Sequence, residues 1–79
     1  MKSTKEKREF PNRLRDLRED KDKNQEEVAK IINIHQTTLS KYEKGTTDIP
    51  TEILCKLADY YNTSIDYILF RTNENKPYK

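Results

Sequence analysis

The sequence is poor in the residues that make tight turns, cross-links and catalytic clusters. One glycine and three prolines in 79 residues are little material for the turns of a β-sheet protein, whereas helices need few of either. An all-α fold is expected. A single cysteine, Cys55, excludes an internal disulfide framework and fits a reduced, cytoplasmic setting. A single histidine, His35, leaves a metal or acid–base role without partners, so a surface or capping place is expected for it. No apolar run approaches the roughly 20 residues of a membrane span. The basic N-terminus has no apolar region behind it, so no secretory signal is expected. There is no phosphate-cradling glycine loop, no clustered carboxylate pair and no metal-ligand set. No catalytic, cofactor-binding or metal residue is therefore assigned, and an enzyme is not expected.

What the chain does have is charge. Charged residues make up 38% and hydrophobics 32%, a low apolar share that still suits one small domain with a modest core. Lysine and arginine number 16 against 14 acids, a net charge of +2. Nine basic and six acidic residues fall within residues 1–23. This is a weak nucleic-acid footprint that does not make the case alone.

The pattern divides the chain into a flexible basic arm over 1–9, with Lys5, Lys7 and Arg8, a domain over 10–72, and a polar tail over 73–79. Phe10, Leu14 and Leu17 recur at helical spacing, with Pro11 in the first turn; the period stops near Lys21–Lys23. Asn24 reads as an N-cap, with Glu26 and Glu27 at the positive end of a second helix whose apolar face is Val28, Ala29 and Ile32. Asn33 tolerates the left-handed exit that ends it. A third helix begins at His35 or Gln36, faces Leu39 and Tyr42 inward, and stops at Gly45. A loop over Thr46–Pro50 leads to a fourth helix from about Thr51 to Tyr61. Its inward residues are Ile53, Leu54, Leu57, Ala58 and Tyr61, and Cys55 flanks this face as a partly buried structural thiol. Asn62–Thr63 breaks it, and Ser64 caps a short fifth helix bearing Ile65, Ile68 and Leu69.

Two short helices with a tight turn between them, over Gln25–Glu43, have the steric needs of a helix-turn-helix. Ala29 supplies a small residue where the helices approach. Asn33 supplies a positive φ. Val28, Ile32, Ile34, Leu39 and Tyr42 can lock the pair onto the other helices. The residues Asn24-Gln25-Glu26-Glu27-Val28-Ala29, Leu39-Ser40-Lys41-Tyr42-Glu43-Lys44-Gly45 and Leu57 through Leu69 resemble the Cro/C1-type, or Xre, helix-turn-helix family of phage and bacterial repressors. The resemblance covers roughly residues 10–72. It implies a compact five-helix, lambda-repressor-like domain with the motif in helices 2 and 3. Asn33 stands where members often carry glycine, and His35 where serine or threonine commonly caps.

The resemblance implies a transcriptional regulator, a repressor, that binds double-stranded DNA in the cytoplasm. Its third helix would lie in the major groove, with Gln36, Thr37, Thr38 and Lys41 on base edges. Gln25, Ser40, Lys44, Thr46 and Thr47 would meet phosphates, and Arg18 and Glu43 would form a structural ion pair. The motif segment 24–45 has three lysines against three glutamates, so modest non-specific affinity is expected. One recognition helix reads too few base pairs for useful specificity, so a homodimer is expected. Ile65, Tyr67, Ile68 and Phe70 are its interface candidates. No ligand-sensing domain is expected. The alternative is an antitoxin or other protein-interaction module on the same scaffold, with a protein partner not identifiable from sequence.

Overall fold

The computed structural model describes residues 10–77. The arm expected over 1–9, including Lys5, Lys7 and Arg8, lies outside the described residues, as do residues 78 and 79. The regular elements among the described residues are five helices: α1 (Leu14–Asp20), α2 (Gln25–Ile32), α3 (Gln36–Lys44), α4 (Thr51–Tyr61) and α5 (Ile65–Ile68).

Local hydrogen bonding sets where these helices begin. At α2, Asn24 Oδ1 accepts from the Glu27 N–H at 2.9 Å, and the Glu27 carboxylate accepts from the Asn24 N–H at 2.9 Å. This reciprocal pair satisfies two otherwise orphaned donors. Ser64 Oγ likewise accepts from the Tyr67 N–H at α5. His35 precedes α3 without a side-chain cap bond.

The helix ends explain how a chain with one glycine makes compact turns. Asp22, Asn33, Gly45, Asn62 and Phe70 all have φ between 55° and 75°, one after each helix. Each is followed by the same pair of bonds. After α2, for example, Ile34 N–H donates to Ala29 O at 2.9 Å and Asn33 N–H to Lys30 O at 3.3 Å. This motif satisfies the last free carbonyls of the helix. Asparagine and aspartate tolerate the left-handed region by virtue of their short polar side chains. Phe70 does not share that advantage, and its ring is held by the Arg13 guanidinium.

The start of α1 departs from expectation. Phe10 and Pro11 precede the helix rather than opening it, because a residue before proline is driven out of the α region. Phe10 N–H instead donates to Gly45 O at 3.1 Å. Asn12, only 8% exposed, does the organising. Its Nδ2 donates to Phe10 O at 3.1 Å and to Tyr42 O at 2.8 Å, and its Oδ1 accepts from the Leu14 N–H at 3.0 Å.

One apolar core joins all five helices through Leu14, Leu17, Val28, Ala29, Ile32, Leu39, Tyr42, Leu57, Ala58, Tyr61 and Ile68, with Ile49 added from the loop. Ile53 and Leu54 pack at its edge. Cys55 is exposed rather than partly buried. It sits about 100° round α4 from Leu54, outside the stripe that the core covers. Ala29, the small residue of α2, is buried in this core.

Tyr61 brings one polar atom into this core. Its hydroxyl has no hydrogen-bond partner among the described residues. Burial, reinforced by the Glu43 charge, holds the phenol well above its ordinary value of 10.0. Removing an unpaired buried hydroxyl relieves a desolvation cost, so Tyr61→Phe is expected to raise stability by about 1 kcal/mol. The pKa is raised on folding, so stability is full below the unfolded value and declines as pH rises past about 10. The phenylalanine variant lacks that part of the alkaline loss. Urea melts at about pH 8 and about pH 11 check both points. A less stable variant at the lower pH would mean that the hydroxyl has a partner.

Candidate nucleic-acid interface

Helix α3 buries Leu39, Tyr42 and Glu43. At 100° per residue the opposite face carries Thr37, Ser40, Lys41 and Lys44. Gln36, Thr37, Lys41 and Lys44 are exposed, whereas Thr38 and Ser40 are half-buried. Thr38 lies on the flank away from Thr37. Beyond the helix, Thr46 is exposed and donates back to Lys41 O at 3.3 Å. Thr47 is half-buried, as is Gln25 at the first position of α2.

A chain of side-chain hydrogen bonds runs from the interior to this surface. Arg18 grips Glu43 with Nε on Oε2 at 2.8 Å and Nη2 on Oε1 at 3.1 Å. The two side chains are only 13% and 3% exposed. Arg18 Nη1 also donates to Lys23 O at 3.0 Å. The hydrogen bond to Glu43 raises the arginine's pKa further, against the opposing effect of burial. Gln25 Nε2 donates to the same Glu43 Oε1 at 3.0 Å, and Gln25 Oε1 accepts from Gln36 Nε2 at 2.7 Å.

This chain has a chemical consequence. A carboxylate only accepts, so it turns the Gln25 amide with its nitrogen inward and its oxygen toward Gln36. Gln36 must then give one N–H to Gln25, leaving one N–H and its carbonyl oxygen for a ligand. A neighbouring donor and acceptor match the N7 and N6 edge of adenine in the major groove. The bond joins residues eleven positions apart, and no local signal in the sequence announces it.

The interface candidates are not all available. Ile68 is fully buried in the protomer's own core, which a four-residue helix supplies only by turning that side chain inward; it cannot meet a second copy. Ile65 and Tyr67 are half-buried and Phe70 is 52% exposed. Tyr67 and Phe70 hold the Arg13 guanidinium between their rings, at 4.0 and 4.4 Å from the centroids, a favourable cation–π arrangement. Arg13 Nη1 also donates to Tyr67 O at 2.6 Å and Thr72 O at 2.8 Å. These contacts account for Phe70 at its positive φ. The other large exposed apolar residue is Ile31, 54% exposed, which sequence reasoning did not single out.

Among the described residues, no cluster of three histidine, cysteine or acidic side chains could hold a metal ion. No helix among them is long and apolar enough to cross a membrane.

A helix-turn-helix family model matches residues 14–68. Over 66 residues the chain is 39% identical to the cryptic phage CTXphi transcriptional repressor RstR of Vibrio cholerae, covering 84% of the chain and 60% of that protein. It is 38% identical over 64 residues to the HTH-type transcriptional regulator ImmR of Bacillus subtilis (strain 168), covering 81% and 50%. Over 51 residues it is 35% identical to the antitoxin PezA of Streptococcus pneumoniae serotype 4, covering 65% and 32%. The chain thus spans between about a third and three-fifths of the length of these relatives.

Proposed function

Because the chain belongs to the Cro/C1-type helix-turn-helix family, we propose that it is a sequence-specific, double-stranded DNA-binding transcriptional regulator, a repressor that acts in the cytoplasm. Gln36, Thr37, Thr38 and Lys41 read base edges. Gln25, Ser40, Lys44, Thr46 and Thr47 hold phosphates. The observation that carries this reading is the Gln25–Gln36 bond, which readies an exposed amide at the start of α3 for a base edge. The names of the repressor RstR and the regulator ImmR support it. The protein acts as a homodimer, since a two-fold pair reads two half-sites about one helical turn apart. Ile65, Tyr67 and Phe70 remain the interface candidates.

The test is binding to a pool of the source organism's own genomic fragments while salt is raised toward physiological strength. The wild type is expected to enrich a palindromic site. Gln36→Ala is expected to lose about 1–3 kcal/mol of discrimination at its base pair, and Gln36→Ala/Lys41→Ala to lose the site altogether. Weak binding that salt erases equally in wild type and variant would mean phosphate attraction alone. That result would move the protein to the second reading, an antitoxin-type protein-interaction module, which the similarity to PezA favours.

A further inference from the structure

The DNA contacts that the family resemblance implies for the domain all lie on or after α2, and α1 enters only through the Arg18 ion pair. A small cleft of about 120 Å³ changes that. It lies between α1, the first residue of α2 and the end of α3, and is lined by Arg15, Arg18, Gln25, Glu43 and Lys44. Three cations face one carboxylate. That carboxylate is fully engaged, since both Glu43 oxygens accept from Arg18 and one also accepts from Gln25. The Arg18 charge is spent on it.

Two cations remain. Lys44 is exposed and makes no ion pair among the described residues. Arg15 meets Glu19 through Nε at 3.0 Å, which leaves both terminal nitrogens to donate. That pair is open to water, with side chains 68% and 53% exposed, so it holds Arg15 weakly. The acids of α1 point elsewhere: Asp16 and Asp20 lie roughly 100° or more round the helix from Arg15. The mouth of the cleft is thus cationic, ringed by N–H donors, and adjacent to Gln25.

We infer that this cleft grips a backbone phosphodiester of the bound DNA, with Arg15 of α1 and Lys44 of α3 as its two cations. Helix α1 then belongs to the DNA-binding surface, and Glu19 competes with DNA for Arg15. The inference rests on the DNA-binding reading above.

The test uses the full chain with Arg15→Gln, Lys44→Gln and Glu19→Gln, each measured for affinity against salt on the enriched site and on one unrelated duplex. All three side chains are exposed, and a thermal melt of each variant checks that it folds. Each cation is expected to contribute about 0.9 to the slope of log affinity against log salt, or about fivefold in affinity near 0.15 M salt. Arg15→Gln and Lys44→Gln should lose that amount equally on both duplexes, leaving sequence preference unchanged. Glu19→Gln should bind more tightly, and adding Arg15→Gln should abolish its gain. An unchanged slope in Arg15→Gln, with a wild type that binds its site, overturns the inference alone. A wild type that binds no DNA overturns the underlying reading with it. Inorganic phosphate is the last arm. If it stabilises the wild type but not Arg15→Gln while the DNA slopes agree, the cleft holds a free anion and the assignment to DNA is wrong.

Discussion

Arg18→Met is expected to lower the unfolding free energy by about 3–5 kcal/mol, the usual cost of removing one partner of a buried ion pair. The substitution keeps most of the side chain's apolar bulk and deletes its charge. Glu43 is then left 5% exposed with Gln25 as its only side-chain donor, and Lys23 O loses its partner. A chain of this size holds about 4–12 kcal/mol in total, at about 0.05–0.15 per residue, so the variant should sit near the limit of folding. A thermal midpoint about 15 °C lower or more is expected. A shift under about 1 kcal/mol, at an unchanged urea slope, would mean that the carboxylate finds water or another donor.

The double variant Arg18→Met/Glu43→Leu separates the pair's net worth from the penalty of breaking it. Replacing both members of a buried pair by apolar residues is often neutral, so most of the loss should return. DNA recognition should not return. Without Glu43, nothing turns the Gln25 amide toward Gln36, so the double variant is expected to be folded but less selective. Stability and selectivity would then part in one molecule, identifying the pair as a support for the base-reading amide as well as for the fold.

How far all this was legible in the sequence follows from the range of each interaction. Helices α2, α3 and α4 were readable because their caps and periods are local. Asn24 and Asn33 announce the two ends of α2, Gly45 ends α3, and Leu57, Ala58 and Tyr61 mark the inner face of α4. The start of α1 was misread because Phe10, Leu14 and Leu17 keep helical spacing, although Pro11 bars Phe10 from the helix. Helix α5 is too short for periodicity to separate a core residue such as Ile68 from a surface one. Phe70 at positive φ could not be foreseen, since Arg13, nearly sixty residues earlier, holds its ring. In the candidate site, Gln25, Gln36 and Lys41 are named through the family resemblance. The bond joining the two glutamines needs the folded crossing of α2 and α3, and the Arg15 cleft needs α1 brought beside both.

Asn12 is the residue least visible in the sequence and among the most costly to lose. Asn12→Ala is expected to destabilise the domain by about 1–3 kcal/mol, since it orphans the Leu14 N–H and leaves the Tyr42 carbonyl with the Gly45 N–H as its one donor, and a buried unpaired group costs about that much. The Tyr42 bond, at 2.8 Å, spans thirty residues and ties the entry to α1 to the second turn of α3, so its loss also frees the element that carries Arg18 and Arg15. Two sources of energy must be told apart, the hydrogen bonds and the space the side chain fills. Asn12→Leu fills that space and restores neither bond. If the bonds dominate, leucine is at least as damaging as alanine; if packing dominates, leucine recovers most of the loss, as cavity filling does in apolar cores. Hydrogen exchange at the Leu14 amide gives a local reading of the same choice. That amide should lose protection in both variants while Leu57, a core residue of α4, loses only what the global destabilisation requires. Retained protection at Leu14 in a destabilised Asn12→Ala would place the energy in packing and remove Asn12 as the polar tie between α1 and the recognition helix.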